Sequence, residues 1–88
     1  MSDNDAIAIK RILKALHEKG AANAGDIVNA TGLPRYYVLA AFQILHELGY
    51  INLIYSKGSH KVYEISERGR EFLEEKIEGS HEGEKAET

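Results

Sequence analysis

The side chains best suited to acid–base or metal chemistry in this 88-residue sequence are its four histidines, at 17, 46, 60 and 81. They have neither metal-ligand spacing nor a carboxylate partner motif. Ser59-His60 and Ser80-His81 are neighbours in the chain, and adjacency does not make a triad, whose members are recognised by geometry. There is no cysteine, which excludes thiolate ligands, cysteine nucleophiles and disulfides. Gly58 belongs to no phosphate-cradling loop. No cofactor, no metal site and no enzymatic activity are expected. What remains is recognition chemistry, in two places. Arg35, Tyr36, Tyr37 and Gln43 form one group, and Lys57, His60 and Lys61 surround Gly58 in the other.

The periodicity predicts the elements that carry these groups: helix, helix, helix, strand, strand, helix. Ile9, Ile12, Leu13 and Leu16 follow the spacing of one buried helical face, so a first helix is expected from about Asp5 to Lys19, closed by Gly20. Ala21-Ala22 reads as a connector or a stub of strand. Asn23 with Asp26 three residues on is a variant of the capping box. It opens a second helix over Ala24 to Thr31 that buries Ile27 and Val28. Gly32 closes that helix, and Pro34 suits a first helical position. A third helix is expected over Pro34 to Leu48, burying Val38, Ala41, Phe42 and Leu45. From Tyr50 to Tyr55 the chain is rich in aromatic and β-branched residues, as in a strand. Ser56 to Ser59 is a turn cluster, and His60 to Ile65 is a second strand with Tyr63 and Ile65 at period two. Ser66 caps a last helix from Glu67 to about Ile77, burying Phe72 and Leu73. The expected organisation is one domain over residues 1–78 and an acidic tail without regular structure over 79–88.

Composition narrows the class. With 43% apolar and 28% charged residues, the sequence has the balance of an ordinary globular domain. The longest run of purely hydrocarbon side chains, Val38 to Phe42, is far too short for a membrane span, and the first residues show no secretory leader. A cytoplasmic location without membrane contact is expected. The net charge of −3 is uneven. Residues 6–70 carry nine Lys or Arg against five acids, whereas residues 71–88 carry seven Glu against two Lys. The acidic tail reads either as a solubilising end or as an electrostatic competitor that discourages loose nucleic-acid binding.

The stretch GDIVNATGLPRYYVLAAFQILHELGYI resembles the winged helix-turn-helix family of DNA-binding proteins. Its landmarks are Ile27-Val28, Gly32, Leu33, Val38, Phe42, Gly49 and Ile51. The later YEISERGREFL is similar to the family's joint after the wing, with Tyr63, Ile65, Ser66 and Gly69 in the usual places. The resemblance covers residues 6 to 77. It implies an α+β, mostly helical fold of three helices, a two-stranded wing and a C-terminal helix. The compact form looks like the small archaeal or archaeal-virus transcription regulators of the MarR/ArsR/PadR-like kind.

The resemblance implies that the third helix enters the major groove of double-stranded DNA. With Val38 at the centre of its buried face, Tyr36, Ala40 and Gln43 lie opposite, flanked by Arg35 and Tyr37. Gln43 suits adenine, Arg35 suits guanine or phosphate, and the tyrosines suit phosphates or a thymine methyl. Lys57, His60 and Lys61 would hold phosphates or enter the minor groove. The plain alternatives are surface residues that shield the helix-turn-helix joint on the third helix, and a solvated hairpin with two chance lysines. Lys10, Arg11 and Lys14 on the first helix read chiefly as a solvated face. Ile7, Leu39, Ile44, Ile54, Val62 and Ile77 are surplus to a small core, which suggests a partner surface. A homodimer through the first and last helices, with Ile7 and Ile77 at its interface, is the arrangement the family implies. The rival reading is a winged helix that binds protein in a transcription or assembly complex, favoured by Leu39 and Ile44 on the third helix.

Overall fold

The computed structural model describes residues 3–79, with side chains from Ile7 to Glu74. Helices α1 (Asp3–Lys19), α2 (Ala24–Thr31) and α3 (Arg35–Glu47) precede a hairpin of β1 (Ile51–Lys57) and β2 (His60–Ile65), and α4 (Glu67–Gly79) follows. This is the winged helix-turn-helix arrangement. The expected acidic tail lies outside the described residues except for Gly79, which ends α4. Ile77 lies on α4, and its side chain is outside the described set.

Each helix boundary has a local cause. Asn23 accepts from the Asp26 amide at 2.8 Å and the Asp26 carboxylate accepts from the Asn23 amide at 3.1 Å, the reciprocal pair that the sequence predicts. Gly32 closes α2 at φ 75°, its N–H bonded to Val28 O. Pro34 is the N-cap of α3 rather than its first helical residue. Its φ of −60° suits both positions, but its ψ of 145° is extended. At the other end Gly49 N donates to His46 O and Tyr50 N donates to Leu45 O, a Schellman closure that needs the positive φ at Gly49.

The hairpin is antiparallel, with Ile51 opposite Ile65 and Leu53 opposite Tyr63. A register shift between Leu53 and Tyr55 leaves Ile54 without a cross-strand partner and half-exposed. Pairing then resumes at Tyr55 with Val62 and runs out to Lys57 with His60. The turn is therefore only Gly58-Ser59, shorter than the Ser56–Ser59 cluster expected, because the cross-strand ladder carries Ser56 and Lys57 despite their polarity. The stub at Ala22 is real: its N–H and C=O both bond Tyr63, at 3.0 and 2.9 Å.

The core gathers Ile12, Leu13 and Leu16 of α1, Ile27 of α2, Val38, Ala41, Phe42 and Leu45 of α3, and Ile51, Tyr63 and Ile65 of the hairpin. Ile9, Val28, Phe72 and Leu73 pack against it half-buried. No buried polar or charged side chain interrupts it among the described residues.

The joint into α4 is tight. Ser66 Oγ donates to Gly49 O at 2.6 Å and accepts from Gly69 N at 3.1 Å, capping α4 while holding the end of α3. Ser66 N donates to Tyr50 O. A Cβ at Gly69 would run into that same Tyr50 oxygen and stand 2.6 Å from Ile65 Cγ1. Gly69→Ala is therefore expected to lower stability by about 1–3 kcal/mol through overpacking against backbone, despite alanine's better helix propensity. Denaturant unfolding of the two proteins measures it, and an unchanged or raised midpoint would contradict the close approach.

Candidate nucleic-acid interface

Helix α3 and the hairpin face each other across an open cleft of about 790 Å³. One wall is a single row of α3: Arg35, Leu39, Gln43 and His46, each three or four residues from the next and so on one helical face. The other wall is the hairpin, with Leu53, Ser59, His60, Lys61 and Tyr63. Asn23, Ala24 and Gly25, at the start of α2, close one end. The cleft's charged groups are Arg35 and Lys61 against one carboxylate, Glu47.

Two contacts fix the angle between these walls. The Tyr63 ring packs on Phe42 with centroids 4.8 Å apart and meets His46 edge-on at 5.7 Å. The backbone of Tyr63 is meanwhile held to Ala22 just before α2. The hairpin is thus anchored to α3 by a side chain and to the start of α2 by main chain. Farther out, Tyr55 and His60 pack edge to face at 5.7 Å, steadying the strands next to the tip.

The residues singled out in the sequence fall into three groups. Arg35, Gln43, His60 and Lys61 come together in the cleft. Tyr36 is on the outward side of α3, 76% exposed, and Lys57 is exposed at the end of β1; neither lines the cleft. Tyr37 lies on the far flank of α3, half-buried and packed against the core. Leu39, His46 and Leu53 were not among the expected contacts yet line the cleft. The signal for Leu39 and His46 was available, since they follow Arg35 at i+4 and i+11. What the sequence lacked was the side from which the hairpin approaches.

The basic face of α1 is exposed at Arg11 and Lys14, and two of its cations make contacts within the chain. Arg11 donates from its guanidinium to Thr31 O at the end of α2, and Lys10 Nζ stands 4.1 Å from the centroid of Phe72. Lys14 and His17 line a second groove, between α1 and α4, together with Arg70, Leu73 and Glu74. Ile7 is 56% exposed on α1. Among the described residues no group of three or more His, Asp or Glu could hold a metal ion, and no helix is long and apolar enough to cross a membrane.

Comparison with solved structures places the fold. BpsR of Bordetella bronchiseptica, whose DNA binding is regulated by 6-hydroxynicotinic acid, superposes with a TM-score of 0.73 at 23% identity. That match covers 83% of this chain and 53% of BpsR, so the chain spans about half the length of that protein. The antimony-specific transcriptional repressor AntR gives 0.67 at 19% identity, over 84% of this chain and 75% of AntR. Sso10a-2, a DNA-binding protein from Sulfolobus solfataricus, gives 0.62 at 20%, over 82% and 79% of the two chains. No protein-family model and no curated protein matches the sequence. The likeness is one of fold.

The division between anchoring and outward-facing residues is measurable as stability. Tyr63→Ala is expected to cost about 3–5 kcal/mol, as for a large buried aromatic. Tyr36→Ala and Gln43→Ala are expected to stay within about 0.5 kcal/mol of the parent. Chemical denaturation of the three variants checks this, and a large loss at Tyr36 would mean that it packs rather than presents its ring to solvent.

Proposed function

We propose that this chain is a DNA-binding transcription regulator that lays α3 in the major groove of double-stranded DNA and holds flanking phosphates with the hairpin. The observation that carries the reading is the convergence of Arg35 and Gln43 on α3 with His60 and Lys61 on the hairpin along one open cleft. An amide and a guanidinium on the helix suit base edges, while ammonium groups near a glycine turn suit the backbone. Tyr36 and Lys57 extend the same surface outward, and Tyr37 supports the helix from its packed flank. The neighbours in fold are regulators and DNA-binding proteins rather than enzymes, which favours recognition over catalysis. The small archaeal MarR/ArsR/PadR-like regulators remain the kind of protein the landmarks fit, with a cytoplasmic location.

Phosphate and base contacts separate in a titration. Lys57→Ala and Lys61→Ala are expected to weaken binding about equally on all sequences and to reduce the salt slope by about 1 for each phosphate no longer neutralised. Gln43→Ala is expected to cost roughly 1–3 kcal/mol on a preferred site and much less on random duplex. Gel-shift titrations at two salt concentrations read both effects. If Arg35→Ala, Tyr36→Ala and Gln43→Ala all leave binding untouched in folded protein, α3 does not read DNA.

The active form is a homodimer in this proposal, joined through α1 and α4 with Ile7 and Ile77 in the interface. The exposure of Ile7 and the groove between the two helices support it. A symmetric pair would present two copies of α3 to a two-fold site. Sedimentation at micromolar concentration should give about twice the 9.8 kDa chain mass; a monomer at that concentration removes both the dimer and a palindromic site. A protein-binding role has one observation in its favour, the exposed apolar pair of Ile44 on α3 and Leu48 at its C-cap, which does not line the cleft.

A further inference from the structure

Leu39 is out of place chemically in the row that α3 turns toward the hairpin. It sits one turn from Arg35 and one turn from Gln43, and all three line the same cleft. Half of its surface is exposed, at 50%. The other large exposed aliphatic residues here, Ile44 of α3 and Leu48 at its C-cap, lie about 140° and 180° around the helix axis from Leu39 at 100° per residue, and neither lines the cleft. A protein docked on their flank would leave Leu39 uncovered. Leu53, also half-exposed in the cleft, belongs to the hairpin wall opposite Tyr63 in register, not to the helical row.

An apolar side chain between a guanidinium and an amide has one natural counterpart in the major groove. Among the base-pair edges there, only thymine presents a methyl group. Resting on the DNA-binding reading above, we infer that Leu39 packs against the 5-methyl group of a thymine, and that the preferred site carries this thymine between the base pairs faced by Arg35 and Gln43. Four residues of helix rise about 6 Å, and base pairs stack about 3.4 Å apart. Leu39 therefore falls one to two base pairs from the position of either neighbour. Its apolar character, which in the sequence argues for a protein partner, becomes a determinant of sequence preference once it shares a wall with Arg35 and Gln43.

The test removes the methyl and nothing else. A preferred duplex is selected from a randomised library with the full chain, and each thymine in it is replaced singly by deoxyuridine. The parent protein should lose about fourfold in affinity at one position, the worth of one buried methyl group, and almost nothing elsewhere. Leu39→Ala should bind the thymine duplex more weakly and no longer distinguish the two bases at that position, with an unchanged circular dichroism spectrum. If the parent is indifferent to deoxyuridine at every position, or if Leu39→Ala is as sensitive as the parent, the thymine contact is wrong while the DNA reading stands. A chain that selects no duplex at all overturns the DNA reading, and this inference falls with it.

Discussion

The geometry of the cleft depends on Tyr63. Its main-chain N–H and C=O are both bonded to Ala22, and its ring is wedged between Phe42 and His46. A two-stranded hairpin has little stability of its own in water. Here one residue joins it to the segment before α2 by two hydrogen bonds and to α3 by aromatic packing. The distance between Lys61 on the hairpin and Arg35 or Gln43 on the helix is thereby set by core contacts, not by the loops that carry the polar groups. A site built this way keeps its spacing when its outward side chains change, because those side chains contribute little to the packing.

The second constraint is the joint at Gly49, Tyr50, Ser66 and Gly69. The hydroxyl of Ser66 satisfies one amide of α4 and one carbonyl at the end of α3, while Tyr50 O takes the Ser66 amide. Gly69 lets α4 approach to backbone distance at this point. Arg68 lies over the Tyr50 ring at 5.1 Å and covers the outer side of the joint. The Schellman closure of α3 therefore does more than end a helix. It orients both β1 and α4 relative to α3, so the wing and the groove between α1 and α4 are positioned by one small cluster.

Much of this was legible in the sequence, and the reasons are local. Asn23 and Asp26 mark α2 because reciprocal capping needs those side chains three residues apart. Gly32 and Gly49 mark helix ends because the left-handed conformation favours glycine. Tyr63 and Ile65 mark β2 because alternation buries every second residue. The tip of the hairpin was less legible, since Ser56 and Lys57 carry turn chemistry and are drawn into the strand by pairing with Lys61 and His60. The cleft was legible only in part. Helical periodicity identifies the face opposite Val38, with Tyr36 and Gln43, but the hairpin comes in from the side and selects Arg35, Leu39, Gln43 and His46 instead. The direction of that approach is set by the Phe42–Tyr63 contact, which joins residues far apart in the chain. In the same way Arg11 is exposed, as the sequence suggests, but nothing near it in the chain tells that α2 ends beside it and offers Thr31 O.

Charge sets how such a surface can work as a DNA reader. The cleft and hairpin tip offer Arg35, Lys57 and Lys61, with Glu47 opposing them, and the whole chain is net negative. Sequence-independent affinity grows with the number of phosphates neutralised. In the proposed role, so few cations would give one copy a shallow salt dependence and a weak hold on arbitrary duplex. The burden of discrimination would then fall on the α3 side chains proposed to meet base edges, which lie on a helix fixed by the core. A second copy doubles both the phosphate contacts and the base contacts without adding charge to either chain. The surplus apolar residue on α1 and the groove beside α4 are where such a copy would attach. On the proposed reading a weakly charged surface and pairing would belong to one design: one copy would read little and hold loosely, and a pair would do both better.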